Sequence, residues 1–161
     1  MERYIDIVRN MVRNNIEKSS IIEEIIDISD KYYINPIEFV RAGLIDVNTV
    51  GCWTKYGSPE SLLMCSISIL DVDGVRDLIA LGADVTRETE ILDELLYAGV
   101  HPEFGNLQHV NTIWQIIKPF NPPICLSETA IENFNKGHYI NHPEMFSDII
   151  NIVKSSNIIQ Y

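Results

Sequence analysis

The chain has 161 residues, 46% of them hydrophobic, and carries a formal net charge of −11 at neutral pH with a pI near 4.6. That length fits one domain able to bury roughly two thirds of its unfolded surface, and the apolar content excludes an intrinsically disordered chain. The acidity argues against nucleic acid and anionic membrane as partners, because both need Lys and Arg, and it favours steering toward a basic protein.

The pattern is helical from the start. Tyr4, Ile7, Val8, Met11 and Val12 recur at three- and four-residue steps, one face of a helix. Ser20-Ile21-Ile22-Glu23 reads as a capping box opening a second helix, which would turn Ile22, Ile25, Ile26 and Tyr33 inward. Asn35-Pro36 reads as an N-cap followed by proline at the first helical position, and the short helix it opens stops at Gly43. Val47 to Trp53 could be extended, and no strong strand or hairpin signal appears elsewhere.

Ser58-Pro59 opens another helix by the same logic, with Leu62, Leu63, Ile67 and Leu70 facing the core. Asp71 or Asp73 caps the next, which carries Val75, Leu78 and Ile79. Thr86 or Thr89 can cap a helix in which Ile91, Leu92, Leu95 and Leu96 form one apolar stripe ending at Gly99. A further helix is predicted from Leu107 to Ile117, with Ile113, Trp114 and Ile117 inward. Pro119 to Pro123 reads as a stiff, non-helical connector. Ser127-Glu128 opens a helix through Ile131 and Phe134 to Gly137, and Pro143 opens the last, with Met145, Phe146, Ile149, Ile150 and Val153. The prediction is an all-α fold of about eight or nine short helices.

Leu78 to Val85, with its Gly82-Ala83-Asp84-Val85 ending, resembles the end of an ankyrin repeat. Gly82 can take a positive φ just past the helix, and Asp84 can hydrogen-bond backbone in the following turn. Ser61-Leu62-Leu63-Met64 stands where the repeat places Thr-Pro-Leu-His, and Val75, Leu78, Ile79, Gly82, Ala83 and Asp84 follow in register. Gly43 and Gly99 end similar stretches, although the glycine spacings of 39 and 17 depart from a regular repeat of about 33. The resemblance implies a single domain over 1–161 of stacked antiparallel helix pairs, ankyrin-like over 36–102. Residues 103–161 would then form a helical C-terminal cap. It also implies protein binding, with no chemistry of its own.

Catalytic and metal motifs are weak or missing. Cys52, Cys65 and Cys125 form no C-x-x-C pair, which argues for a reducing compartment and against a disulfide framework or zinc site. His138 and His142 are four apart, but Gly137 and Pro143 flank them, so His142 is better read as an N-cap or turn residue. No phosphate-binding, dinucleotide or nucleophile-elbow glycine motif appears, and no cofactor is expected. The charged N-terminus does not read as a signal peptide, and no apolar run approaches the ~20 residues of a membrane span. A cytoplasmic protein is the expectation.

Charge is the uneven feature. Residues 71–103 hold nine acids against two bases, −7 of the total −11. Asp71, Asp73, Asp77, Asp84, Glu88, Glu90, Asp93 and Glu94 are therefore candidate partner-binding residues, with Trp53 and Tyr56 as aromatic anchors on a loop. Small size, acidity and the lack of a catalytic motif are similar to the profile of immunity proteins of bacterial toxin systems, including contact-dependent growth inhibition. That similarity implies an inhibitor of a basic toxin domain. An ankyrin-like host-interaction protein of a virus or intracellular bacterium is the alternative, and an enzyme with an unrecognised site is a third.

Overall fold

A computed structural model describes residues 1–53, 59–136 and 139–157. The fold is all-α, and helices account for about two thirds of it. Among the described residues the helices are α1 Glu2–Arg13, α2 Lys18–Tyr32, α3 Ile37–Arg41, α4 Leu62–Ser68, α5 Val72–Ala80, α6 Ile91–Gly99, α7 Leu107–Ile117, α8 Glu128–Lys136 and α9 Pro143–Asn157. The chain divides into two compact units. One is Met1–Cys65 with Asp77–Ala83, and the other is Ser66–Arg76 with Asp84–Tyr161.

In the first unit α1 packs against α2, and the rings of Tyr4 and Tyr32 lie 4.4 Å apart. Val8, Ile25 and Phe39 are fully buried. Helix α2 begins at Lys18 behind an N-cap at Glu17 whose backbone is extended, and it has no side-chain cap. The expected Ser20–Glu23 capping box does not form, because those residues already lie inside the helix. The buried positions of α2 are Ile21, Ile25 and Ile28, with Ile22 and Ile26 half-buried. Tyr33, expected inside, is 96% exposed: its φ of +56° ends the helix and turns the side chain outward. Asn35 does cap α3, its Oδ1 accepting from the amide of Ile37 at 3.0 Å.

A two-residue strand β1, Val50–Gly51, pairs antiparallel with β2, Glu60–Ser61, placing Val50 opposite Ser61. The expected opening of α4 at Ser58-Pro59 starts on a residue outside the described set. Helix α4 begins at Leu62, and Ser61 Oγ accepts from the amide of Met64 at 3.1 Å. Leu62, Leu63, Ile67 and Leu70 are all buried, as their spacing predicts.

Several helices stop in the same way. After α5 the amide of Ala83 donates to the carbonyl of Leu78 at 2.9 Å and that of Gly82 to Ile79 at 3.0 Å, with Gly82 at φ +93°. This paired bonding is a Schellman motif, and Gly82 fills its left-handed position without a Cβ penalty. The same pair of bonds ends α1 at Asn15, α3 at Gly43 and α4 at Leu70, all with positive φ.

In the second unit Asp71 caps α5, its Oδ1 accepting from the amide of Gly74 at 3.0 Å. Neither Thr86 nor Thr89 caps α6. Instead Asp84 holds Thr86 in a 3₁₀ turn, Val85–Arg87, and Glu90 precedes α6 with no side-chain cap. Ile91, Leu92, Leu95 and Leu96 are each at most 1% exposed, and α6 packs against both α7 and α8. Helix α7 is capped by Asn106, which accepts from His109 at 3.1 Å, and buries Val110, Ile113, Trp114 and Ile117. The expected non-helical connector begins instead as a 3₁₀ turn, Lys118–Phe120, and runs on without regular structure to Ser127. Ser127 caps α8 through the amide of Ala130 at 3.1 Å. Tyr139 is fully buried, stacked 5.7 Å from Phe134 and edge-on 5.0 Å from Phe146 of α9.

Candidate functional site

The acids from the sequence do not play one role. Asp77 belongs to the first unit, where it is ion-paired with Arg41, which also pairs with Glu38. Asp71, Asp73, Asp84, Glu88, Glu90, Asp93 and Glu94 belong to the second unit. Three of these seven are tied to backbone amides. Asp71 holds Gly74, Asp84 holds Thr86, and Asp93 accepts from the amide of Ser127 at 2.9 Å, 34 residues along the chain. These carboxylates hold local turns and helix starts of the fold while keeping their negative charge.

The Asp84 carboxylate is held below the usual Asp range. The Thr86 hydroxyl donates to it at 2.6 Å and is the largest cause; loss of water around the carboxylate opposes it, and the Thr86 amide and the Arg87 charge add to the lowering. Asp73 is 90% exposed and pairs with Arg76 at 3.2 Å. Glu90 is exposed, and Glu88 and Glu94 are half-buried.

Trp53 is not a surface anchor. It is 6% exposed, and its Nε1 is buried without a hydrogen-bond partner among the described residues. Tyr56 lies outside the described residues.

A different aromatic group takes the surface position. Tyr97, in the last turn of α6, is 51% exposed, and Phe104 is 41% exposed. Between them His101 stacks on Phe104, ring centroids 3.8 Å apart with planes at 17°, and meets Tyr97 edge-on at 6.3 Å. The turn beneath is closely made. His101 Nδ1 accepts from the amide of Glu103 at 3.3 Å, and the His101 carbonyl accepts from the amide of Gly105 at 2.8 Å. A Cβ on Gly105 would stand 2.4 Å from that carbonyl, so only glycine allows the close return.

The spacing of these rings, four and three residues apart, was visible in the sequence. For Tyr97, exposure is decided by the opposite face of α6, where Ile91, Leu92, Leu95 and Leu96 take the core, while His101 and Phe104 lie in the turn beyond the helix. Residues 84–103 surround the rings in sequence with six acids and one base.

Other chemistry has little to stand on. Cys65 is a half-buried thiol pushed up out of the ordinary range, first by desolvation and then by its contact with Glu60, so it stays protonated. In the first unit a groove of about 740 Å³ between α1 and α2 is lined by Arg3, Tyr4, Glu24, Asp27, Lys31 and Tyr32, among others. Its walls mix both signs of charge. Among the described residues no three His, Cys, Asp or Glu side chains are placed to share a metal ion. His138 lies outside them, and the carbonyl of His142 accepts from Met145 and Phe146 at the start of α9. Among the described residues no helix is long and apolar enough to cross a membrane. No protein-family model, curated protein or solved structure matches the chain.

Proposed function

We propose that this chain is a non-enzymatic binding protein that masks a basic partner protein, acting as an immunity protein acts on a basic toxin domain. The observation that carries this reading is the charge of residues 84–103, six acids against one base, joined to exposed aromatic rings at the end of the same segment. Exposed carboxylates of one sign speed the encounter with a basic surface, and aromatic rings supply the buried contact that holds it. The same field repels nucleic acid, so a basic surface used to grip a phosphate backbone would be covered by a protein that cannot itself be gripped. A cytoplasmic site of action and ankyrin-like packing belong to this proposal.

The test is the salt dependence of association. With the partner in hand, raising ionic strength slows association much more than it speeds dissociation. Glu88→Lys with Glu90→Lys slows it further at low salt. An association rate that is equal at low and high salt removes the reading.

A further inference from the structure

Resting on that reading, we propose that Tyr97, His101 and Phe104 form the seat for an arginine side chain of the basic partner. The three rings are held in place before any partner arrives, by the end of α6 on one side and the Gly105 return on the other. Two of them leave about half of their surface in water, at 51% and 41%. Exposed, ordered aromatic surface of this kind is an anchor for something planar or cationic.

The flanking charge chooses among occupants. Glu103 lies exposed in the turn between His101 and Phe104. An apolar partner would strip water from this carboxylate without replacing it. A nucleotide would bring its phosphate against it. A guanidinium suits both features: its flat face matches the ring surface left in water, and its fork of donors matches the Glu103 carboxylate. Lysine, a strongly hydrated point charge, stacks less well.

The experiment uses the full chain and two fluorescent probes of equal charge, deca-arginine and deca-lysine, titrated at low ionic strength. The wild type is expected to bind the arginine peptide about three- to tenfold tighter, the range a cation–π contact supplies. Phe104→Ala with Tyr97→Ala brings the arginine peptide to the lysine level and leaves lysine binding unchanged. Tyr97→Phe, which keeps the ring, retains the preference and guards against a folding artefact. Equal binding of both peptides by the wild type, or an arginine preference that survives loss of both rings, overturns the seat. Binding of neither peptide overturns the acidic-surface reading on which the seat rests.

Discussion

The hydroxyl of Tyr139 donates to the main-chain carbonyl of Leu96 at 3.1 Å, satisfying a carbonyl in the last turn of α6. A Cβ on Gly99 would stand 2.2 Å from that hydroxyl and 2.7 Å from Cγ2 of Val110. Gly99 therefore ends α6 by allowing close approach rather than by taking a left-handed φ. Burial drives the Tyr139 hydroxyl well above its ordinary range, so it keeps its proton and remains a donor at neutral pH.

Tyr139→Phe should cost about 1–2 kcal/mol, since a buried carbonyl loses its partner. Gly99→Ala should cost about 1–3 kcal/mol or more by overpacking, and part of that cost should return in the double variant with Tyr139→Phe. Urea unfolding of the three variants measures both. Additive costs would contradict the contact.

Asp93 is expected to act in folding and not in binding. Asp93→Ala should lower stability by about 1 kcal/mol and speed hydrogen exchange at the Ser127 amide, which it holds at 2.9 Å. Glu90→Lys, at an exposed position, should leave stability within about 0.5 kcal/mol. Equal effects of the two on unfolding would contradict this division of labour.

Thiol labelling separates the cysteines. Cys52 and Cys125 are exposed and should alkylate readily in the folded protein. Cys65, half-buried and held as the thiol, should react much more slowly than either and reach their rate only on unfolding. Mass spectrometry after iodoacetamide treatment reads the number of adducts directly.

The pH dependence of the Asp84 turn has a definite sign. Because its folded pKa lies below the unfolded value, the turn is stabilised above ordinary Asp titration, and that contribution is lost as pH falls through the lowered folded pKa. The carboxyl-carbon chemical shift of Asp84 should titrate below the usual Asp midpoint. Thr86→Val, which removes the 2.6 Å hydroxyl donor, should raise that midpoint. An unmoved midpoint would assign the shift to another cause.

Much of the helical frame was legible in the sequence, for reasons that particular residues show. The stripe of Ile91, Leu92, Leu95 and Leu96, and the bounds of α7 from Leu107 to Ile117, follow from a 3.6-residue period strong enough to fix the buried face. Gly82 and the Asp84 turn were readable because left-handed backbone and side-chain capping are local physics. Local signals failed where two options compete nearby. Ser20 and Glu23 lost to a start at Lys18, and Thr86 was drawn to Asp84 and so did not cap α6. Leu70, read only as a core residue, is buried while also occupying a left-handed position that glycine usually fills. For the candidate site, acidity was legible, but which carboxylates face solvent was not. Asp93 reaches a residue 34 positions away and Trp53 turns inward, while Tyr97 turns outward because the opposite face of α6 takes the core and Phe104 sits in the turn beyond it.

The most direct measurement of the central claim is quantitative affinity capture from the cells that make this protein, comparing the wild type with Glu88→Lys plus Glu90→Lys. The expected result is one basic protein retained in stoichiometric amount by the wild type, released by high salt and lost on charge reversal. Retention of no basic protein, or retention unaffected by salt and by the two substitutions, would contradict the account.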